Sequence, residues 1–141
     1  MSKKDAKVAA LLADIDPKGW NLEYAGFFAC FNSGLYYEAH DVLEALWLKD
    51  RQGTDGNFYK GLIILAGAFV HLQKQRLAPA MALFNLAAKY LTAYPEQHNG
   101  LSRGALLQLI DQWRSALGAK PSQNPLNHLP KPKIGWMGNS N

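Results

Sequence analysis

The stretch that decides the predicted fold is residues 31–47, which read Phe-Asn-Ser-Gly-Leu-Tyr-Tyr-Glu-Ala-His-Asp-Val-Leu-Glu-Ala-Leu-Trp. Its glycine lies between two apolar segments and indicates a turn, because glycine often ends a helix. After the glycine, offsets of four, four and three residues separate Tyr36, His40, Glu44 and Trp47. Such offsets place side chains on one face of a helix. We therefore expect the imidazole and the carboxylate to share a face and to point inward, away from water.

Apolar residues recur at helical spacing on both sides of this stretch. The predicted helices cover residues 5–14, 18–32, 36–48, 57–75, 79–94 and 102–117. Asp16 and Pro17 are predicted to begin the second of them, as N-cap and first helical residue. The fourth is apolar on all sides and is expected to be central, with Gly61 and Gly67 allowing a neighbouring helix to approach closely. No alternating pattern predicts a strand, so we predict an all-α fold, a compact bundle of five or six helices.

Composition divides the chain into three predicted parts. Residues 1–17 form a short helix and a linker, and residues 18–118 form the helical bundle domain. Residues 119–141 contain four of the seven prolines and are predicted to be an extended Pro-rich tail, because proline disrupts helices. Apolar residues within the tail predict that part of it packs on the bundle.

Charge and composition restrict the class of protein. A chain of 141 residues with 48% hydrophobic and 18% charged residues is typical of a globular domain. The net charge of +4 lies at the two ends, because residues 8–119 carry a net charge of −1, which disfavours nucleic-acid binding. The longest apolar run is too short to span a membrane, and no secretory signal is visible. We expect a soluble, cytoplasmic protein with a buried thiol at Cys30; the sequence leaves open whether it forms a homo-oligomer.

The aromatic-Glu-Ala-His-acid-x-Leu-Glu-x-x-Trp pattern of residues 36–47, with the preceding Phe-Asn and glycine, resembles a known family. Gly-Leu-Ile at residues 61–63 and His71 extend the similarity. The family is the small all-α group catalogued as domain of unknown function 309, and the similarity covers roughly residues 24–117. The resemblance implies a compact helical bundle and no established activity. This chain has Lys60 where members often have glutamine, and Gln-Arg at 75–76 where many have Gly-Asn.

One hypothesis for the motif is a divalent metal site. His40 and Glu44, one helical turn apart, could both bind one ion, with His71 as the third ligand. If the third and fourth predicted helices pack antiparallel, however, His71 lies about 9 Å beyond the level of His40, by the helical rise. The same geometry places Lys60 beside Glu44 as an ion pair. Between the second and third helices it places Glu23 level with Glu44, as an alternative ligand.

The other hypothesis is a structural polar network, since buried imidazole and carboxylate groups need partners. The predicted members are His40, Glu44, His71, Tyr36, Glu38, Trp47, Lys60 and Glu23. Two functional classes therefore stay open: a helical binding or interaction module, and a metal-dependent enzyme or small-ligand-binding protein. The first predicts an exposed apolar patch at Tyr94, Trp113 or Trp136. His98 and His128 are expected to be solvated, and no catalytic residue is assigned.

Overall fold

The structure, a computed structural model, describes residues 3–139 and contains six α-helices in that range. They are α1 (Lys3–Leu12), α2 (Leu22–Asn32), α3 (Tyr36–Asp50), α4 (Gly56–Gln73), α5 (Leu77–Thr92) and α6 (Arg103–Ala119). A hairpin of two-residue strands, β1 (Gln97–His98) and β2 (Leu101–Ser102), precedes α6. Two short 3-10 turns, Pro125–Asn127 and Met137–Asn139, come after α6. The all-α prediction is confirmed. No helix within residues 3–139 is both long enough and apolar enough to cross a membrane.

Helices α2 to α6 pack against one another in chain order, and α1 lies against α2 and α3. Helix α4 lies between α3 and α5 and is buried along most of its length, as predicted. Aromatic side chains fill the centre of the core, where edge-to-face ring contacts add to the burial of apolar area. Those less than 3% exposed include Phe27, Phe28, Phe31, Phe69, Phe84 and Trp113.

Glycines bring α4 and α5 close together, as the sequence predicts. A Cβ atom at Gly61 would lie 2.9 Å from Leu91 Cδ2 and 3.2 Å from Tyr90 Cβ. One at Gly67 would lie 3.3 Å from Leu83 Cδ1. These contacts explain why two residues with poor helix propensity lie inside the central helix.

The start of α2 differs from the prediction. Asp16 Oδ1 does accept a hydrogen bond from the Lys18 backbone N–H at 3.0 Å, but Lys18 and Gly19 have φ angles of 50° and 88°. A right-handed helix cannot continue through left-handed residues. The helix begins instead after Asn21, whose side chain accepts from the backbone N–H of Tyr24 at 3.0 Å.

The hairpin before α6 was not predicted. Gln97 pairs with Ser102 and His98 with Leu101 in antiparallel register. Asn99 and Gly100, between the strands, have φ angles of 48° and 76°, the conformation that a tight hairpin turn requires. Strands of two residues are too short to show alternation, but the Asn-Gly pair was a usable signal. After α6 the chain has no α-helix up to residue 139; the division into three parts stays a prediction.

Candidate functional site

His40 and Glu44 lie side by side on α3, as the spacing predicts. His40 Nε2 is 4.0 Å from Glu44 Oε2. The expectation that both point inward is met only in part, because their side chains are 32% and 27% exposed. They lie where α1 crosses α3, and the short α1 covers them only in part.

A cation from α1 already contacts the carboxylates of this motif. Lys4 Nζ forms an ion pair with Glu44 Oε1 and lies 3.5 Å from Asp41 Oδ1. The hydrogen bond to Glu44 raises the pKa of the Lys4 ammonium, and the charges of Asp41 and Glu44 add to that rise against partial desolvation. His40 Nδ1 lies 3.4 Å from Asp41 Oδ1. The motif is thus a His-Asp-Glu-Lys network, in which Lys4 takes the position of a bound cation.

The other predicted ligands lie elsewhere. His71 is in the last turn of α4, and its Nδ1 atom is buried without a hydrogen-bond partner. Glu23 forms an ion pair with Lys49, with 2.7 Å between Nζ and Oε1, and its position level with Glu44 stays a prediction. Desolvation pushes the pKa of Glu23 upward, but the hydrogen bond and charge of Lys49 hold it below its usual value. Within residues 3–139, no three His, Cys, Asp or Glu side chains are grouped so that they could hold a metal ion.

The supporting residues also have partners other than those expected. The Lys60 ammonium lies over two rings, 5.9 Å from the centroid of Trp47 and 5.5 Å from that of Tyr90. The predicted Lys60–Glu44 ion pair is therefore wrong: Glu44 turns toward α1, and Lys60 makes cation–π contacts between α3 and α5. Tyr36 is 1% exposed and stacks on Phe69 at 5.0 Å, and burial raises its pKa to about 12. Its hydroxyl has no hydrogen-bond partner.

Glu38, the remaining predicted member of the network, lies half-buried in the first turn of α3. Its negative charge adds to the effect of burial on the thiol of Cys30, whose pKa rises to about 11. Cys30 is 5% exposed, as expected for an unpaired thiol in an apolar helix.

Comparison with known proteins identifies the segment that contains this motif. Residues 24–83 match the family model described as Domain of unknown function (DUF309). The resemblance to DUF309 is confirmed. The match covers α2, α3, α4 and the first part of α5, which is shorter than the similarity expected from the sequence.

The chain is also 32% identical over 77 residues to the "Uncharacterized protein YpuF" of Bacillus subtilis (strain 168). That alignment covers 53% of this chain and 44% of the relative, so the chain spans less than half the length of that protein. No solved structure matches. DUF309 has no assigned function, and these comparisons assign none to this chain.

A second polar network joins the DUF309 segment to the hairpin outside it. Asp55 precedes α4, and its Oδ1 lies 2.7 Å from His98 Nε2. Its Oδ2 accepts a hydrogen bond from Asn99 Nδ2 at 3.1 Å, and Tyr24 donates its hydroxyl to the Asn99 carbonyl at 2.7 Å. The expectation that His98 is solvated is wrong, because its side chain is 24% exposed and bonded to a carboxylate. The two partners are 43 residues apart and both lie outside helices, where helical periodicity gives no signal.

This network fixes Tyr94 at the end of α5. The Tyr94 ring lies 5.1 Å from that of Phe58 and 5.0 Å from that of His98. Its hydroxyl donates to the Thr54 carbonyl at 2.9 Å, and Arg103 Nη1 donates to the Tyr94 carbonyl at 2.6 Å. Both the ring and the main chain of Tyr94 are therefore held in place.

A groove of about 450 Å³ opens beside Tyr94, and we call it the Tyr90 groove. It is lined by Asn57, Leu86, Lys89, Tyr90, Ala93 and Tyr94. The lining combines aromatic and apolar side chains with one cation and contains no carboxylate. Of the three predicted patch residues, Tyr94 lines this groove. Trp113 is 2% exposed, and Trp136 stacks on Phe28 with 4.5 Å between centroids, so both are packing residues and that part of the prediction is wrong.

Proposed function

We propose that this protein is a binding module that takes a ligand with an apolar body and a negative charge in the Tyr90 groove. The observation that carries the proposal is the lining of this groove, two tyrosines and apolar side chains beside one lysine, with no acidic group. Ligand sites are concave and mostly apolar, with a few polar groups that orient the ligand.

The walls of the groove support the proposal because they are fixed before a ligand arrives. Tyr94 is held by its hydroxyl bond to Thr54 and by its ring contacts. Tyr90 lies where α4 and α5 approach closely at Gly61, and the Lys60 ammonium lies over its ring. A preformed site loses less conformational entropy on binding, and this favours affinity.

The charges near the groove favour an anion. Lys89 lines it, and the Lys60 ammonium lies 5.5 Å from the centroid of the Tyr90 ring. The ammonium groups can attract a carboxylate or sulfonate while the rings cover an apolar body. An uncharged ligand of the same shape would gain only the apolar part of this interaction.

The test is a titration of the ¹⁵N-labelled full chain with 2-naphthoate and, as a matched uncharged probe, 2-naphthamide. We expect saturable amide shifts around Tyr90 and Tyr94 with naphthoate and weaker binding of the amide. Lys89→Glu should weaken naphthoate binding about three- to fivefold, the range of an exposed charge contact, and leave the amide nearly unaffected. Lys120→Glu, an exposed charge just after α6, is the control. Shifts that map elsewhere, or equal binding of the two probes, would exclude the proposal.

The metal-dependent alternative at His40 and Glu44 has weaker support, because the Lys4 ammonium contacts Glu44 and the buried His71 Nδ1 atom is at the far end of α4. It predicts a stoichiometric divalent metal in untagged protein that is lost in His40→Ala. If His40→Ala lowers only the melting temperature, the structural network is favoured. A cytoplasmic location is part of our proposal, since the unpaired Cys30 thiol suits a reducing compartment; cell fractionation tests it.

A further inference from the structure

Residues 129–138, which we call the C-terminal strap, run across α2 and the hairpin; residues 130–136 contain no helix or strand, and a 3-10 turn begins at Met137. Asn32, at the end of α2, recognises the main chain of the strap at one residue. Its Nδ2 donates to the Ile134 carbonyl at 3.0 Å, and its Oδ1 accepts from the Ile134 N–H at 2.7 Å. A side-chain amide that bonds both the N–H and the carbonyl of one residue can bind any extended backbone, because both of these groups belong to the main chain.

Alternate side chains of the strap point into the protein. Pro132 and Ile134 are buried and Trp136 is half-buried, whereas Lys131, Lys133, Gly135 and Met137 are exposed. This period of two is that of a β-strand laid on a surface. The strap is bound as an extended peptide is bound, with main-chain recognition and pockets for every second side chain.

Two of the pockets under the strap hold different side chains. Ile134 is 4% exposed in a site beside α6. Trp136 stacks on Phe28 at 4.5 Å and meets the edges of Trp20 and Tyr24 at 5.5 and 5.7 Å. The groove therefore fits an aliphatic residue followed two positions later by an aromatic one.

The main chain of the strap is lightly held. In the part of the chain that the structure describes, residues 130–135 of the strap make no backbone–backbone hydrogen bond, and the Met137 N–H donates to the Gly100 carbonyl at 2.9 Å. Segments with few backbone hydrogen bonds open at a lower free energy than the global fold. The helices beneath keep their own hydrogen bonds when the strap leaves.

From these contacts we infer that the groove under the strap is a docking site for an extended segment of a partner protein that carries an aliphatic-x-aromatic sequence. The strap occupies this site in cis until such a segment displaces it. A basic residue before the aliphatic one suits the site, because Lys133 Nζ donates to the Asn32 carbonyl at the C-terminal end of α2. The inference is independent of the Tyr90 groove and shares no residue with it.

Competition in cis determines how the inference must be tested. A tethered segment competes at an effective concentration in the millimolar range, so a free peptide binds the wild type poorly. A substitution in the strap that weakens its contact with the site should expose the site without changing it. Trp136→Ala in the full chain does this, because the indole belongs to the strap.

The probe is a fluorescein-labelled peptide with the sequence of residues 129–139, followed by fluorescence polarisation. We expect Trp136→Ala to bind it at least about tenfold more tightly than the wild type. Adding Asn32→Ala should weaken that binding about fivefold or more, since two hydrogen bonds are lost. The matched control is the same peptide with alanine in place of its isoleucine and tryptophan, which should not bind. A folded Trp136→Ala variant that fails to bind the peptide, or binds both peptides equally, overturns the inference.

Two further outcomes are decisive. If Trp136→Ala does not fold, amide exchange in the wild type takes its place: faster exchange at Met137 than in α4 supports an opening strap, and equal protection overturns it. A concentration-dependent wild-type dimer that Asn32→Ala dissociates would make a second copy of the chain the occupant, and would overturn the inference of a partner protein.

Discussion

Replacing Asp55 with alanine tests the network that joins the DUF309 segment to the hairpin. The change removes the 2.7 Å contact to His98 and the 3.1 Å hydrogen bond from Asn99. Each hydrogen bond contributes about 1 kcal/mol net. The lost negative charge at the start of α4 adds about 0.5 kcal/mol. Both side chains of the Asp–His pair are 24% exposed, so water replaces part of what is lost. We expect the free energy of unfolding to fall by about 2 kcal/mol, or Tm by roughly 6 °C.

Urea denaturation followed by far-UV circular dichroism measures this change. Asp55→Asn, which keeps one oxygen acceptor, should lower the free energy of unfolding by about half as much as Asp55→Ala. Asp111→Ala is the surface control, because its carboxylate is 62% exposed and contacts Arg114 one turn away, and it should cost less than about 0.5 kcal/mol. A double-mutant cycle with His98→Ala should give a coupling of about 1 kcal/mol. The reasoning fails if the free energy of unfolding of Asp55→Ala lies within about 0.5 kcal/mol of the wild-type value. It also fails if the effects of Asp55→Ala and His98→Ala on that free energy are additive.

Three shorter predictions follow from other contacts. Burial raises the pKa of Cys30 to about 11, above the value of 9.0 for an exposed thiol, so the thiol in the unfolded chain ionises first. The free energy of unfolding should therefore fall as pH rises from 9 to 11, and Cys30→Ala should remove roughly 2 kcal/mol of that fall in denaturation curves. Glu44→Ala should cost less than about 1 kcal/mol in urea, because its partner Lys4 is 47% exposed; a loss of 3 kcal/mol would contradict this exposed position. Gly61→Ala should lower Tm despite the better helix propensity of alanine, because the new Cβ would lie 2.9 Å from Leu91 Cδ2, and a raised Tm would show that the helices move apart freely.

The sequence predicted the helices well where a long segment carries its own apolar period, as in α3 and α4. Antiparallel geometry also predicted that His71, near the end of α4, lies beyond the level of His40; in the same turn Gln73 Nε2 donates to the Gly34 carbonyl, before the start of α3, at 3.3 Å. Between α2 and α3 the same geometry did not predict that Glu23 pairs with Lys49. Spacing along a helix predicts the position of a residue along the helix axis. It does not predict the angle at which two helices cross or the direction of a long side chain.

The polar partners were the part of the site that periodicity could not predict. Lys4 is 40 residues from Glu44, and the contact exists only because α1 folds back across α3. His98 and Asp55 both lie outside helices, so no helical face connects them. The burial of Asp41 could have been predicted, because a residue directly after His40 and before Val42 falls at the buried edge of α3. Asp41 is 4% exposed.

Three polar groups in the DUF309 segment have partners that come from outside residues 24–83. Glu44 is paired by Lys4 from α1, Asp55 by His98 from the hairpin, and Asn32 by the main chain of the strap. The flanking segments therefore satisfy side chains that the matched segment would leave without these partners. Both proposed surfaces combine residues of the matched segment with residues beyond it: Asn57 in the Tyr90 groove, and Asn32, Phe28 and Tyr24 under the strap. A relative that shares only the matched segment is expected to keep the core of α2 to α4 and to lack both binding surfaces.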